Sequence, residues 1–242
     1  LHGLSSSHLE WTYVTPRLSS YHLLIPDLPA HSSSTHITPF TIPYAASLVA
    51  SLLESHAHST PCHVVGLSAG GFVALALAKA RPELVQSLFV TGVGGIAARR
   101  WLMAAAPYLV TAIVKLQSVL PEFLNDYIMR KMGMKRPDGL QRDILNNAKF
   151  SMVKQAYASI ADYGNGEPLP MRTLAVAGAK QDDVAGTGRL GHVLRIGCEE
   201  SRAVVIDGAL HAWNLQWPEL FARGITAWIE GRELPVEFRE LT

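Results

Sequence analysis

The stretch that decides the fold is Cys62-His63-Val64-Val65-Gly66-Leu67-Ser68-Ala69-Gly70-Gly71-Phe72. Pro61 opens a short apolar run, Cys62 to Val65, that reads as a buried strand. It leads directly into Gly66-Leu67-Ser68-Ala69-Gly70, and an Ala- and Leu-rich segment from Phe72 to Ala80 follows as a helix ending at Arg81-Pro82. Gly-x-Ser-x-Gly alone is a weak signal, but between a strand and a helix it describes one particular turn. A side chain at either glycine would collide with the neighbouring strand or helix. The serine is thereby raised at the start of a helix, where the dipole and free backbone N–H groups favour developing negative charge.

Outward from this turn the chain alternates. Tyr21 to Ile25 reads as a buried strand stopped by Pro26-Asp27, Pro43 to Ala57 as a helix, and Leu84 to Val90 as a strand closed by Thr91-Gly92. From about Ile96 to Tyr163 no strand is evident; segments 99–119, 121–132 and 138–162 look helical, punctuated by Pro121 and by Gly133 through Pro137. Alternation resumes with a strand at Met171–Ala177, a helix near Thr187–Ile196, a strand at Ala203–Ile206 and a closing helix at Pro218–Glu230. Such alternation predicts an α/β fold with a mostly parallel sheet flanked by helices, and an inserted helical segment.

Composition narrows the function classes. The chain has 242 residues, 48% of them hydrophobic and 17% charged, which supports a large core and excludes global disorder. With 21 Lys and Arg against 20 Asp and Glu, it lacks the basic surplus of a nucleic-acid binder. Cys62 and Cys198 form no disulfide framework and read as buried free thiols. The uncharged run Trp101–Val114 contains Pro107, is closed by Lys115 and is too short to cross a bilayer, which takes about 20 apolar residues. No charged segment followed by an apolar one marks a signal peptide, so the expectation is a cytoplasmic protein without a membrane span. No His or Cys pair has zinc spacing, His56 and His58 being two apart, and Gly92-Val93-Gly94-Gly95 is the nearest approach to a phosphate loop. No metal or cofactor is expected.

A serine hydroxyl needs a base, and the usual base is a histidine oriented by a carboxylate. Of ten histidines, His211 stands out: it follows the strand Ala203–Ile206 through a short loop, on the same rim as Ser68. His63 lies within a strand and reads as a packing residue, while His31, His36, His56 and His58 lie in polar stretches where solvation is the default. The carboxylate belongs on the rim after the preceding strand, where Gly178 is followed by Asp182 and Asp183; Asp182 is preferred and Asp183 held in reserve. The order Ser68, Asp182, His211 fits this architecture. The backbone N–H groups of Ala69 and of Leu4, in His2-Gly3-Leu4, are candidates for an oxyanion hole, although no strand precedes that segment.

Together Leu1-His2-Gly3-Leu4, Pro26-Asp27-Leu28-Pro29-Ala30-His31, Gly66-Leu67-Ser68-Ala69-Gly70-Gly71, Gly178 with Asp182, and Gly208 with His211 resemble the α/β-hydrolase superfamily, in its esterase/lipase-like branch with a helical lid. The resemblance implies a nucleophile elbow and catalytic triad: Ser68 as nucleophile, His211 as base, Asp182 as orienter. It also implies a core of residues 1–95 and 166–242 beneath a cap of residues 96–165. Three departures stand out. Ala30 occupies a usual glycine. The stretch from Gly178 to Asp182 is one residue longer than the commoner spacing, which keeps Asp183 open. The family places strands before His-Gly where this sequence has none, so the expectation is an N-terminally truncated chain with an exposed sheet edge.

The implied activity is hydrolysis of an apolar carboxylic ester, thioester or lactone through an acyl-enzyme on Ser68. An apolar stripe in the insertion, Trp101, Leu102, Met103, Tyr108, Leu109 and Ile113, suggests a small apolar acyl substrate, but it is what any packed helix shows and reads first as core. Two alternatives stand beside it: a non-catalytic ligand-binding protein on the same scaffold, and a lyase or cofactor-free peroxidase using the same three residues.

Overall fold

A computed structural model of the chain describes residues 1–94, 100–161 and 166–241, with the side chains of 100–103 outside that description. Five strands form one sheet in the order β1 (Cys62–Leu67), β2 (Val85–Thr91), β3 (Thr173–Gly178), β4 (Arg202–Ile206) and β5 (Phe238–Glu240). The first three pairings are parallel and β4–β5 is antiparallel. Each parallel step needs a crossover, and helices supply them: α2 (Ala69–Ala80) between β1 and β2, and α7 (Val184–Gly197) between β3 and β4. Helix α1 (Ile42–His56) packs beside α2.

The crossover from β2 to β3 carries the insertion: α3 (Arg100–Val119), α4 (Glu122–Lys131), α5 (Leu140–Asn147) and α6 (Phe150–Ala161). The single helix expected over 138–162 is two, broken at Ala148, whose ψ of 49° leaves the helical region. The break lets the side chain of Asn147 turn towards the loops below. The boundaries of the expected cap, at 95–96 and near 165, lie outside the described residues.

Period-two alternation places β2 between two cores. Leu88 and Val90 join the cluster under α1, α2 and α7, while Phe89 faces the opposite cluster around Trp213, Phe221 and Trp228. The latter residues belong to α8 (Trp213–Gln216) and α9 (Pro218–Ile229).

The strand expected at Tyr21–Ile25 does not form; residues 22–28 are irregular. A cavity of about 440 Å³ is lined by Tyr21–Pro26 on one side and Cys62–Val65 on another. Apolar character alone makes no strand; the run needs a neighbouring edge at hydrogen-bonding distance, and here the cavity intervenes. Leu1 does reach that edge, its backbone N–H donating to Val65 O at 2.6 Å and its carbonyl accepting from Leu67 N–H at 3.1 Å. Cys62 and Cys198 are free thiols, but each is half-buried rather than enclosed. Among the described residues no helix is long and apolar enough to cross a membrane.

Candidate active site

Ser68 joins the end of β1 to α2 with φ 53° and ψ −119°, a conformation that L residues rarely adopt. The turn is tight: a Cβ on Gly66 would lie 2.4 Å from Gly70 O, and one on Gly70 would lie 2.3 Å from Leu1 O. Both positions therefore require glycine. The backbone N–H of Ser68 donates to Thr91 O at 2.8 Å, fixing the turn to the end of β2. The serine side chain remains partly accessible.

The residue that follows β2, Gly92, links the serine turn to the histidine. A Cβ there would meet Cε1 of His211 at 2.5 Å, so the imidazole lies directly on the Gly92 backbone. The ring is held from behind as well: Nδ1 of His211 lies 2.5 Å from Oδ1 of Asp182, and the His211 backbone N–H donates to Gln181 Oε1 at 2.9 Å. Two residues on, the Trp213 indole N–H donates to Thr91 Oγ1 at 2.9 Å, tying the histidine loop to β2.

Asp182 is held in turn. Its Oδ2 accepts the Gly178 N–H at 2.7 Å, and only 4% of its side chain is exposed. Asp183 points elsewhere: it caps α7 by accepting the Gly186 N–H at 2.8 Å. Of the two candidate acids, only Asp182 meets His211. Burial pulls the His211 pKa down, and the hydrogen bond and charge of Asp182, joined by the charge of Glu10, more than offset it, so the net shift is upward. With Nδ1 donating to the carboxylate, Nε2 is left as the acceptor. Among the described residues the hydrogen bonds of His211 run to Asp182 and Gln181, and none joins it to the Ser68 hydroxyl.

The His2-Gly3-Leu4 segment is ordered and close by. A Cβ on Gly3 would lie 3.7 Å from the Ser68 Cβ. His2 is fully buried, its Nδ1–H donating to Gly3 O at 2.8 Å and its Nε2 accepting the Leu28 N–H at 2.9 Å. His31, expected to be solvated, is also fully buried: Nδ1–H donates to Pro29 O at 2.7 Å and Nε2 accepts the Ser5 N–H at 3.0 Å. Each histidine satisfies backbone groups of two loops, which explains burial in a polar stretch. Desolvation leads in pushing the His2 pKa down to about 3, so both nitrogens keep these roles at neutral pH. His63 is half-buried within β1, with Nδ1 2.8 Å from Ser87 Oγ.

Two residues that sequence reasoning missed complete the surroundings. Glu10 is buried, and its Oε2 accepts the Gly3 N–H at 2.7 Å; desolvation raises its pKa. Asn147, 1% exposed, ties α5 to both rim loops: Nδ2 donates to Ser6 O at 2.8 Å, and Oδ1 accepts the Ser32 N–H at 2.8 Å. The only local sign of the first is an acid beside Trp11 in an apolar context; the second has none.

A family model described as "Alpha/beta hydrolase family" matches residues 1–230. The chain belongs to the α/β-hydrolase family. It is 31% identical to an AB hydrolase superfamily protein of Gibberella zeae, over 98% of this chain and 81% of the relative. It is 28% identical to a pimeloyl-[acyl-carrier protein] methyl ester esterase of Neisseria meningitidis, over 96% of this chain and 92% of the other. An α/β-hydrolase enzyme from a Medee basin deep-sea metagenome library shares the fold, with a TM-score of 0.72 at 18% identity, over 96% of this chain and 88% of that one.

Proposed function

We propose that this α/β-hydrolase cleaves apolar carboxylic esters, thioesters or lactones through an acyl-enzyme on Ser68. The carrying observation is the Asp182–His211 pair laid against Gly92, beside a serine held at positive φ. The kinship to an esterase supports ester chemistry.

In this reading Ser68 Oγ attacks the carbonyl carbon while Nε2 of His211 takes its proton. The oxyanion is held by the backbone N–H groups of Ala69 and Leu4. Asp182 keeps the tautomer and stabilises the imidazolium. His211 then gives the proton to the leaving alcohol or thiol, which departs, or to the ring oxygen of a lactone, which opens to a hydroxyl kept on the acyl chain; either way the acyl group is left on Ser68. A water, deprotonated by His211, releases the acid and regenerates the hydroxyl. Segment 96–165 serves as the cap over the substrate. Of the apolar stripe in it, Tyr108, Leu109 and Ile113 are exposed to solvent; the side chains of Trp101, Leu102 and Met103 lie outside the described residues.

The test is turnover of a chain-length series of p-nitrophenyl esters, a thioester and a lactone by the purified chain and by Ser68→Ala. Hydrolysis by the first, reduced at least ~10³-fold in the second, is the expected result. Folded protein that hydrolyses none of them, or a Ser68→Ala variant of equal rate, overturns the proposal. Ligand binding without turnover then favours a binding protein, and cyanohydrin cleavage favours a lyase.

A further inference from the structure

Fourteen large apolar side chains are exposed among the described residues, and ten of them lie between 108 and 150. They concentrate on two consecutive helices of the insertion. On α3, Leu109, Ile113 and Leu116 form one row, and Val119 is 76% exposed; on α4, Phe123 and Tyr127 stand one turn apart, 71% and 51% exposed. Scattered single apolar residues are ordinary, but this many on two consecutive helices mark a contact surface.

The charge around the patch is one-sided. Residues 100–161 hold nine Lys and Arg against four Asp and Glu, an excess of five, in a chain whose net charge is +1. Helix α3 has no acidic residue at all. Three of the four acids are taken up within the insertion: Asp126 and Glu122 face Arg136, and Asp143 faces Arg142. Among the described residues, Lys115, Arg130, Lys131, Lys135, Lys149 and Lys154 are exposed and have no carboxylate partner, and Lys131 Nζ sits 5.6 Å over the Tyr127 ring.

Helix α3 exposes its large apolar side chains on one side, while Pro107 is buried and Val110 packs on the core on the other. An apolar face that carries aromatics and is accompanied by lysines and an arginine without carboxylate partners matches the boundary between acyl chains and anionic headgroups. A helix lying in that plane does not need the length of a spanning one.

We propose that the α3–α4 face docks on an anionic lipid surface, its apolar side chains entering the headgroup boundary while Lys115, Arg130, Lys131 and Lys135 meet lipid phosphates. This docking does not depend on the hydrolase reading. Turnover of a soluble ester, measured on the same preparations, therefore separates failure of one from failure of the other.

The experiment is co-sedimentation of the full chain with vesicles of phosphatidylcholine alone, or of equal parts phosphatidylcholine and phosphatidylglycerol. The expected result is binding to the mixed vesicles at least ~10-fold stronger than to phosphatidylcholine, and weaker at high salt. Leu116→Glu with Phe123→Glu lowers it a further ~10-fold or more, with an unchanged melting temperature. Lys131→Glu with Lys135→Glu removes the preference for anionic vesicles. Absent binding, equal binding to both vesicle types, or equal binding by Leu116→Glu/Phe123→Glu overturns the proposal. So does a dimer in solution that the same double variant turns into monomers, because the face then covers a second copy of the chain.

Discussion

Oδ1 of Asp182 stands 2.5 Å from Nδ1 of His211, whereas Asp183, one residue later, spends its carboxylate on the first turn of α7. Neighbouring acids thus have separable effects. Asp182→Asn lowers kcat by roughly 10³–10⁴-fold, because the tautomer and the imidazolium lose their partner. Asp183→Ala leaves turnover within about twofold and costs about 1 kcal/mol as a lost helix cap. Steady-state kinetics with thermal melts on both variants check this.

The sign of the His211 shift fixes the pH profile. Only the neutral imidazole accepts a proton, so kcat/KM falls as pH drops through the His211 pKa. That pKa is held above its ordinary 6.5 by Asp182, with Glu10 contributing, against the pull of burial. In Asp182→Asn the burial remains and its main opponent is gone, so the residual activity shows its acid limb at lower pH. A limb that stays in place in that variant contradicts the assignment.

Glu10 accepts the buried Gly3 N–H beside Ser68. Glu10→Gln keeps an oxygen acceptor there; Glu10→Ala strands the donor, at a cost of about 1–3 kcal/mol. The expected result is near-normal kcat in Glu10→Gln and a kcat lowered more than KM is changed in Glu10→Ala. Equal kcat in the two variants contradicts a positioning role.

Ala30 stands where the resembling family has glycine, and its φ is 63°. A Cβ in the left-handed region costs roughly 1–2 kcal/mol. Ala30→Gly therefore stabilises the fold by about 1 kcal/mol after the greater freedom of the unfolded glycine is offset. Urea unfolding measures it as a higher midpoint at unchanged slope.

What the sequence disclosed and withheld follows from range. The β1–Ser68–α2 unit is local: strand, glycines and helix are contiguous, and each constrains the next. His211 was legible because it follows a strand end. Between the two acids the sequence favours Asp182 without excluding Asp183, since the decision turns on which carboxylate faces a residue 29 positions away. Tyr21–Ile25 misled because an apolar run becomes a strand only beside a free edge. Strand β5 went unseen because its three residues hold a single apolar one, Phe238. His31 looks solvent-bound in sequence, and Glu10 and Asn147 carry little or no local sign; their burial goes with hydrogen bonds to backbone groups of other segments.

The central claim is that Ser68 is the reacting hydroxyl. Its most direct measurement is mass-spectrometric mapping of the full chain after treatment with a fluorophosphonate. The account predicts one adduct, on Ser68, formed rapidly by the native chain, greatly slowed in Asp182→Asn and absent in Ser68→Ala. Folded protein that takes up no label, or takes it up at another serine, contradicts it.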